Sequence, residues 1–225
     1  MIDINNDVFS GRLFIKSDPM MTEFSWENYY VNILATNKWW SRPYEYQWVE
    51  DACRSYFDFS QGKSAIDIAT GVRHPGMFIL RRVGFSKVVG TDLFDTESYE
   101  NKTYLKDGMQ FVKDDILSPK ITDKFDCLTC ISVLEHFHPD TQKKALENMI
   151  SYLKPNGSII VTFDMPGYDY PTNLPLYREI LLHHSFLFRE ESLKEGDVVV
   201  RPSNCANAGR LSRRRLSCFR LFARR

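Results

Sequence analysis

The chain has no apolar run approaching the ~20 residues that a membrane-spanning helix requires. Its opening stretch, MIDINNDVFSGRLF, lacks the basic and apolar regions of a secretory signal, so the expected location is the cytoplasm. The five cysteines are odd in number and scattered, which excludes a disulfide framework. Cys127 and Cys130 do form C-x-x-C, but no second pair completes a zinc site. Three residues apart in a strand, the two side chains point to opposite faces, as buried structural thiols would. There is no internal repeat and no low-complexity linker. Acid is missing from residues 209–225, which carry seven arginines and leave the preceding 208 residues with 22 basic against 29 acidic side chains. A mildly acidic body thus ends in a basic tail.

What is there suits a folded domain. A hydrophobic share of 43% and 16 phenylalanines exclude general disorder, and 225 residues suit one domain with a decorated edge. Residues 1–40 are aromatic and irregular and are expected to form a helical cover, with the main domain over 41–225. SRPYEYQWVEDACRSYF (41–57) has helical apolar spacing, with Ser41 as a cap and Pro43 near the first turn. Beyond it the pattern alternates. SAIDIA, KVVGTDL, MQFVKDDI, KFDCLTCISVL and SIIVTFDM read as strands; PGMFILRRVG, TQKKALENMISYLKPNG and LPLYREILLHH read as helices. LSCFRLFAR reads as a closing strand, its arginines on a solvated face. Near-continuous apolar strands separated by helices predict an α/β domain, a mostly parallel sheet covered on both sides.

In such a sheet, ligands bind outside the carboxyl ends of the strands. That places Asp67–Arg73, Asp92, Asp115 and the SVLEH turn along one rim. Gly71 lets backbone approach a ligand without a Cβ in the way. Asp92, about 20 residues after the turn, stands where an acid binds ribose hydroxyls. Nicotinamide-binding proteins share this logic, so these two features leave the ligand open.

The order of motifs resembles the class I methyltransferases that use S-adenosylmethionine. Their acid-x-Gly-x-Gly-x-Gly motif maps onto DIATGVR, with Asp67 and Gly71 retained and Ala69 and Arg73 in place of glycines. Their strand-two acid maps onto Asp92, and the acid beside the adenine onto Asp115-Ile116, with Asp114 as its immediate rival. FDCLTCISVLEHF closely matches their fourth motif, and LKPNGSIIVTF their L-K-P-G-G turn, with Asn156 for one glycine. The similarity covers residues 40–165 and weighs against a nicotinamide oxidoreductase. It implies a Rossmann-like, doubly wound, seven-stranded sheet with an antiparallel final strand, and S-adenosylmethionine as cofactor. It also implies a cofactor site of Asp67, Ala69, Thr70, Gly71, Asp92, Leu93, Asp115, Ile116, Ser132 and Val133.

The chemistry beyond the cofactor stays open at several residues. His136 is a candidate general base at the mouth of the fourth strand, or a turn residue packed on the cofactor. A metal site from His136, His138 and Asp140 would need a turn to gather them, and none is expected. The loop FDMPGYDYPTN offers Asp164, Tyr168 and Asp169 to an acceptor, or simply caps the sheet. Arg42, Tyr44 and Tyr46 either close over the cofactor or pack into the core. The expected reaction is methyl transfer to an oxygen, or else a nitrogen, of a small molecule such as a saccharide or natural-product intermediate. The competing readings are a nucleic-acid methyltransferase using the arginine tail and a non-catalytic partner subunit. No membrane partner is expected, and oligomeric state is not legible.

Overall fold

The computed structural model describes residues 2–3, 42–71, 75–94, 108–165, 170–194, 198–199 and 217–224. The expected N-terminal cover lies outside them, apart from Ile2–Asp3, which pairs in parallel with Val198–Val199.

Helix α1, Arg42–Tyr56, buries Tyr46, Val49, Ala52 and Cys53 at helical spacing. There follow β1 (Ser64–Ile68), α2 (Pro75–Val83), β2 (Lys87–Asp92), β3 (Met109–Lys113) and β4 (Phe125–Ile131). A 3-10 turn at Leu134–His136 leads to α3 (Pro139–Ser151), β5 (Leu153–Met165), α4 (Leu174–His183), β6 (Leu187–Lys194) and β7 (Ser217–Arg224). The main sheet has seven strands in the order β3-β2-β1-β4-β5-β7-β6. Six run in one direction, and β7 alone runs against its neighbours β5 and β6.

The central strands are apolar on both faces because helices cover both. Ala65, Ile66 and Ile68 of β1 are buried, as are Cys127, Leu128 and Cys130 of β4. The C-x-x-C splits as its spacing requires: Cys127 lies beside Cys53 of α1, and Cys130 beside Tyr177 of α4. Burial, then the neighbouring Cys53, pushes the Cys127 thiol well up, which makes it an inert core residue. On the far face Phe163 and Tyr177 meet edge to face at 5.5 Å, a geometry worth about 1 kcal/mol beyond area burial.

Both helices that flank β5 start on sequence signals. His138 caps α3 ahead of Pro139, and the Asn173 side chain accepts from the Leu176 amide ahead of Pro175. The helix read through Gly157 instead ends at Ser151. Strand β5 begins at Leu153, and Asn156 turns it with φ 64. Asparagine tolerates that left-handed backbone better than most residues. Strand β6 was not foreseen. Its LFREESLK carries charges typical of an edge strand, and Leu187 is exposed, so no apolar alternation marks it.

Candidate functional site

Strand β1 pairs with both β2 and β4, so the strand order reverses there, the point at which open parallel sheets bind ligands outside their carboxyl ends. The turn leaving β1 is held by its neighbour. The Thr70 amide donates to the Thr91 carbonyl at 2.8 Å, and the Gly71 amide donates to Asp92 Oδ2 at 3.0 Å. Asp92 Oδ1 accepts from the Phe94 amide at 3.1 Å. Each carboxylate oxygen has a second lone pair to offer a diol. Directly after it, Leu93 and Phe94 are exposed apolar side chains.

Gly71 has φ 69, and among the described residues nothing lies within 4 Å of a Cβ built on it. No described side chain occupies the space against this backbone, which suits close approach of a ligand. Thr70 Oγ1 is buried without a partner among the described residues. The turn therefore fits a nucleoside-bearing cofactor in both shape and donor set.

Asp67 sits deeper. It is 3% exposed and accepts from Thr129 Oγ1 at 2.6 Å. Gly76, in the first turn of α2, lies against it: a Cβ there would fall 2.2 Å from Asp67 Oδ2. The carboxylate thus packs under the start of α2, where the helix dipole favours negative charge.

The adjacent acids at the end of β3 are separated by geometry. Asp114 is buried, accepting from the Tyr152 hydroxyl and from the Lys120 amide at 3.0 Å. Burial, then this carboxylate, drives the Tyr152 hydroxyl's pKa up. Asp115 is half-buried, and its Oδ1 accepts from the Leu117 amide at 2.8 Å. Asp115 is the acid on the rim. Ile116 belongs to the core cluster, its carbonyl accepting from Asn148 at 2.7 Å.

At the end of β4, Ser132 has φ 49. Its amide donates to the Thr162 carbonyl at 2.9 Å. Its hydroxyl donates to Glu45 Oε2 at 2.7 Å, and the Thr162 hydroxyl donates to the same oxygen. Glu45 comes from α1 and is 0% exposed. Val133 is half-buried and leads into the 3-10 turn, where His136 is exposed.

His138 and Asp140 are engaged at the cap of α3, with His138 Nδ1 3.2 Å from an Asp140 oxygen and its ring 5.3 Å from that of Tyr170. Among the described residues no cluster of His, Cys, Asp or Glu is placed to hold a metal ion. The Tyr170 amide donates to the Glu135 carbonyl at 3.1 Å, which ties the residues leading into α4 to the turn. Gln142, wholly buried, fixes that return. Its Nε2 donates to the carbonyls of Phe137 and Pro171, and its Oε1 accepts from the Asn173 amide and the Tyr177 hydroxyl.

Asp164 lies in β5, opposite Cys218 of β7, so its backbone belongs to the sheet rather than to a loop. Tyr46 is buried, the fate of a packing aromatic. Arg73, Tyr168, Asp169 and the side chains of Arg42, Tyr44 and Asp164 lie outside the described residues. Sequence reasoning missed Glu45, Thr162 and Gly76. Only Gly76, a glycine directly after Pro75 at a helix start, carried a readable signal.

Ala69 has φ 52, a left-handed backbone on a residue with a Cβ. That conformation costs an L-residue about 1–2 kcal/mol, while glycine adds about 0.4–1 kcal/mol of unfolded-chain entropy. The balance predicts that Ala69→Gly stabilises the protein by about 0.5–1 kcal/mol. Chemical denaturation checks it, and a loss of stability would contradict the assigned strain.

The family profile described as "Methyltransferase domain" matches residues 42–195. No curated protein matches the chain. Among solved structures, a S-adenosylmethionine dependent methyltransferase from Mesorhizobium loti superposes with TM-score 0.57 at 15% identity, covering 80% of this chain and 98% of that one. The N-methyltransferase NodS from Bradyrhizobium japonicum, in complex with S-adenosyl-l-homocysteine, gives 0.56 at 12%, covering 92% and 99%. The [4+2]-cyclase SpnF gives 0.64 at 13%, covering 90% and 96%. At these identities the structures establish a shared fold.

Proposed function

Because this chain belongs to the S-adenosylmethionine-dependent methyltransferase family, we propose that it methylates an oxygen of a small molecule, such as a saccharide or natural-product intermediate. The observation that carries this reading is His136, exposed at the turn that ends β4, with Tyr170 tied next to it by its amide's bond to the Glu135 carbonyl. An imidazole there can take the proton of an acceptor hydroxyl at neutral pH.

When bound, S-adenosylmethionine supplies an electrophilic methyl on a sulfonium. Asp92 would hold the ribose, the Gly71 backbone would lie against the ligand, Asp115 would lie beside the base, and Leu93 would offer it an apolar surface. Ser132 and Val133 would border the reacting end. The rest of the catalysis is alignment and exclusion of water, with His136 receiving the acceptor's proton. The mild acidity of residues 1–208 favours a small acceptor over nucleic acid. The names of fold relatives span N-methyl transfer and a cyclase, so the acceptor must be found by chemistry.

The test is transfer of isotopically labelled methyl from S-adenosylmethionine to panels of hydroxylated glycosides, phenols, amines and short RNAs. Label in a hydroxylated small molecule is expected, with His136→Gln lowering kcat about 100-fold at neutral pH. Label on RNA or an amine alone, or full kcat in His136→Gln, would overturn the corresponding part.

A further inference from the structure

Gln142 stands on the apolar face of α3, ahead of Ala145, Leu146, Met149 and Ile150, and is 0% exposed. A primary carboxamide has two N–H donors and two lone pairs, and here all four are used. Nε2 donates to the Phe137 carbonyl at 3.1 Å and to the Pro171 carbonyl at 3.0 Å. Oε1 accepts from the Asn173 amide at 3.2 Å and from the Tyr177 hydroxyl at 2.8 Å. Carbonyls only accept and a backbone amide only donates, so the carboxamide can sit just one way round. No ionised side chain of this length offers both donors and acceptors.

The two carbonyls it holds share a position. Phe137 directly follows His136, and Pro171 directly follows Tyr170; both His136 and Tyr170 are exposed rings. One buried nitrogen thus ties the backbone behind one ring to the backbone behind the other. A second tie runs ahead of His136, from the Tyr170 amide to the Glu135 carbonyl at 3.1 Å. The Tyr170 ring itself meets the His138 ring at 5.3 Å. A saturated buried polar net fixes a single arrangement, where apolar packing alone tolerates several. What is fixed here is the placement of Tyr170 relative to His136. Asp92, Gly71 and Asp115 take no part in the net.

We propose that Gln142 is a positioning residue for the methyl acceptor: it holds Tyr170 beside the His136 turn, and Tyr170 is the aromatic surface on which an acceptor bearing a ring face, phenol or pyranose, is seated. An aromatic side chain packs against either kind of face. The inference rests on the reading that the methyl acceptor meets His136. It adds which side chain orients that molecule and which keeps the orienting side chain in place. A misplacement of about 1 Å takes a nucleophile out of line with the bond it attacks, so the effect falls on the methyl acceptor and spares the cofactor.

The experiment compares wild type with Gln142→Met, Tyr170→Ala and Tyr177→Phe. Each is followed by thermal unfolding, hydrogen exchange at the Tyr170 amide, calorimetric titration of S-adenosylhomocysteine, and steady-state methyl transfer to the hydroxylated glycoside or phenol that takes label. Gln142→Met keeps the length without the polar atoms. It is expected to speed exchange at the Tyr170 amide about tenfold. The methyl-acceptor KM should rise about tenfold, with S-adenosylhomocysteine affinity and S-adenosylmethionine KM changed less than about twofold. Tyr170→Ala, which leaves the backbone ties in place, is expected to raise the methyl-acceptor KM by as much. Tyr177→Phe removes a core bond and leaves both carbonyl ties, so it should lower the unfolding temperature while holding that KM within about twofold. A methyl-acceptor KM that tracks stability across the three variants, or wild-type exchange in Gln142→Met, would overturn the proposal and leave Gln142 a structural pin. If Gln142→Met does not fold, a wild-type KM in Tyr170→Ala overturns it. Label in no glycoside or phenol would overturn the acceptor reading and the seating on Tyr170 with it, whereas exchange at the Tyr170 amide reports the tie without any acceptor.

Discussion

Asp92→Ala is expected to abolish saturable binding of S-adenosylhomocysteine in a calorimetric titration, a loss of at least about 100-fold in affinity. The size of the effect follows from two duties. Asp92 closes the β1 turn by accepting the Gly71 amide at 3.0 Å, and in the proposed cofactor site its remaining lone pairs would serve the two ribose hydroxyls. Hydrogen bonds to a charged group are worth about 1.5–3 kcal/mol each, and alanine forfeits all of them while leaving the turn amide without its acceptor. Asp92→Asn separates the duties, since one amide oxygen can still hold Gly71 but cannot serve both hydroxyls well. The asparagine variant should therefore unfold at nearly the wild-type temperature and bind about tenfold more weakly. Wild-type affinity in Asp92→Ala would remove the ribose assignment.

The second large effect is at Gly76. An alanine Cβ there would fall 2.2 Å from Asp67 Oδ2, 2.6 Å from Cγ and 2.7 Å from Oδ1. Asp67 cannot swing away, because it is 3% exposed and tied to Thr129 at 2.6 Å. Either the carboxylate leaves its hydroxyl partner or the start of α2 shifts away from β1. Overpacking of this kind costs about 1–3 kcal/mol, and a displaced buried charge adds to it, so Gly76→Ala should lose about 3 kcal/mol or more in chemical denaturation. Because α2 follows the cofactor turn directly, the variant should also bind S-adenosylhomocysteine more weakly than Ala69→Gly does. A wild-type denaturation midpoint for Gly76→Ala would show that the α2 start yields without cost.

These two positions mark what the sequence could and could not convey. Asp92's place at the turn was legible, since it ends a strand 21 residues after Gly71, and the structure joins the two through the Gly71 amide. The parallel sheet was legible from continuous apolar strands, and the final strand from Cys218, Phe219, Leu221 and Phe222 interrupted by Arg220. The close approach of backbone to Asp67 is made by Gly76, which falls outside the glycine spacing of the turn motif. Glu45 was hidden because its partners, 87 and 117 residues away, are joined only by the folded sheet. Asp114 and Asp115 could not be told apart locally, since Tyr152, 38 residues on, is what draws Asp114 inward. Strand β6 escaped because an edge strand need not alternate.

The placement of β7 has a consequence for the order in which the chain becomes a protein. Residues 217–224 pair with Ser158–Met165 on one side and Leu187–Lys194 on the other. During synthesis from the N-terminus, six strands leave the ribosome before the one that joins two of them. Until it arrives, β5 presents an open hydrogen-bonding edge and β6 has no neighbour in the main sheet. The nascent chain therefore waits with a strand-shaped gap beside its nearly assembled active rim, a slot that a foreign β-segment could fill. The gap closes only when β7, the last strand in chain order, pairs with β5 and β6.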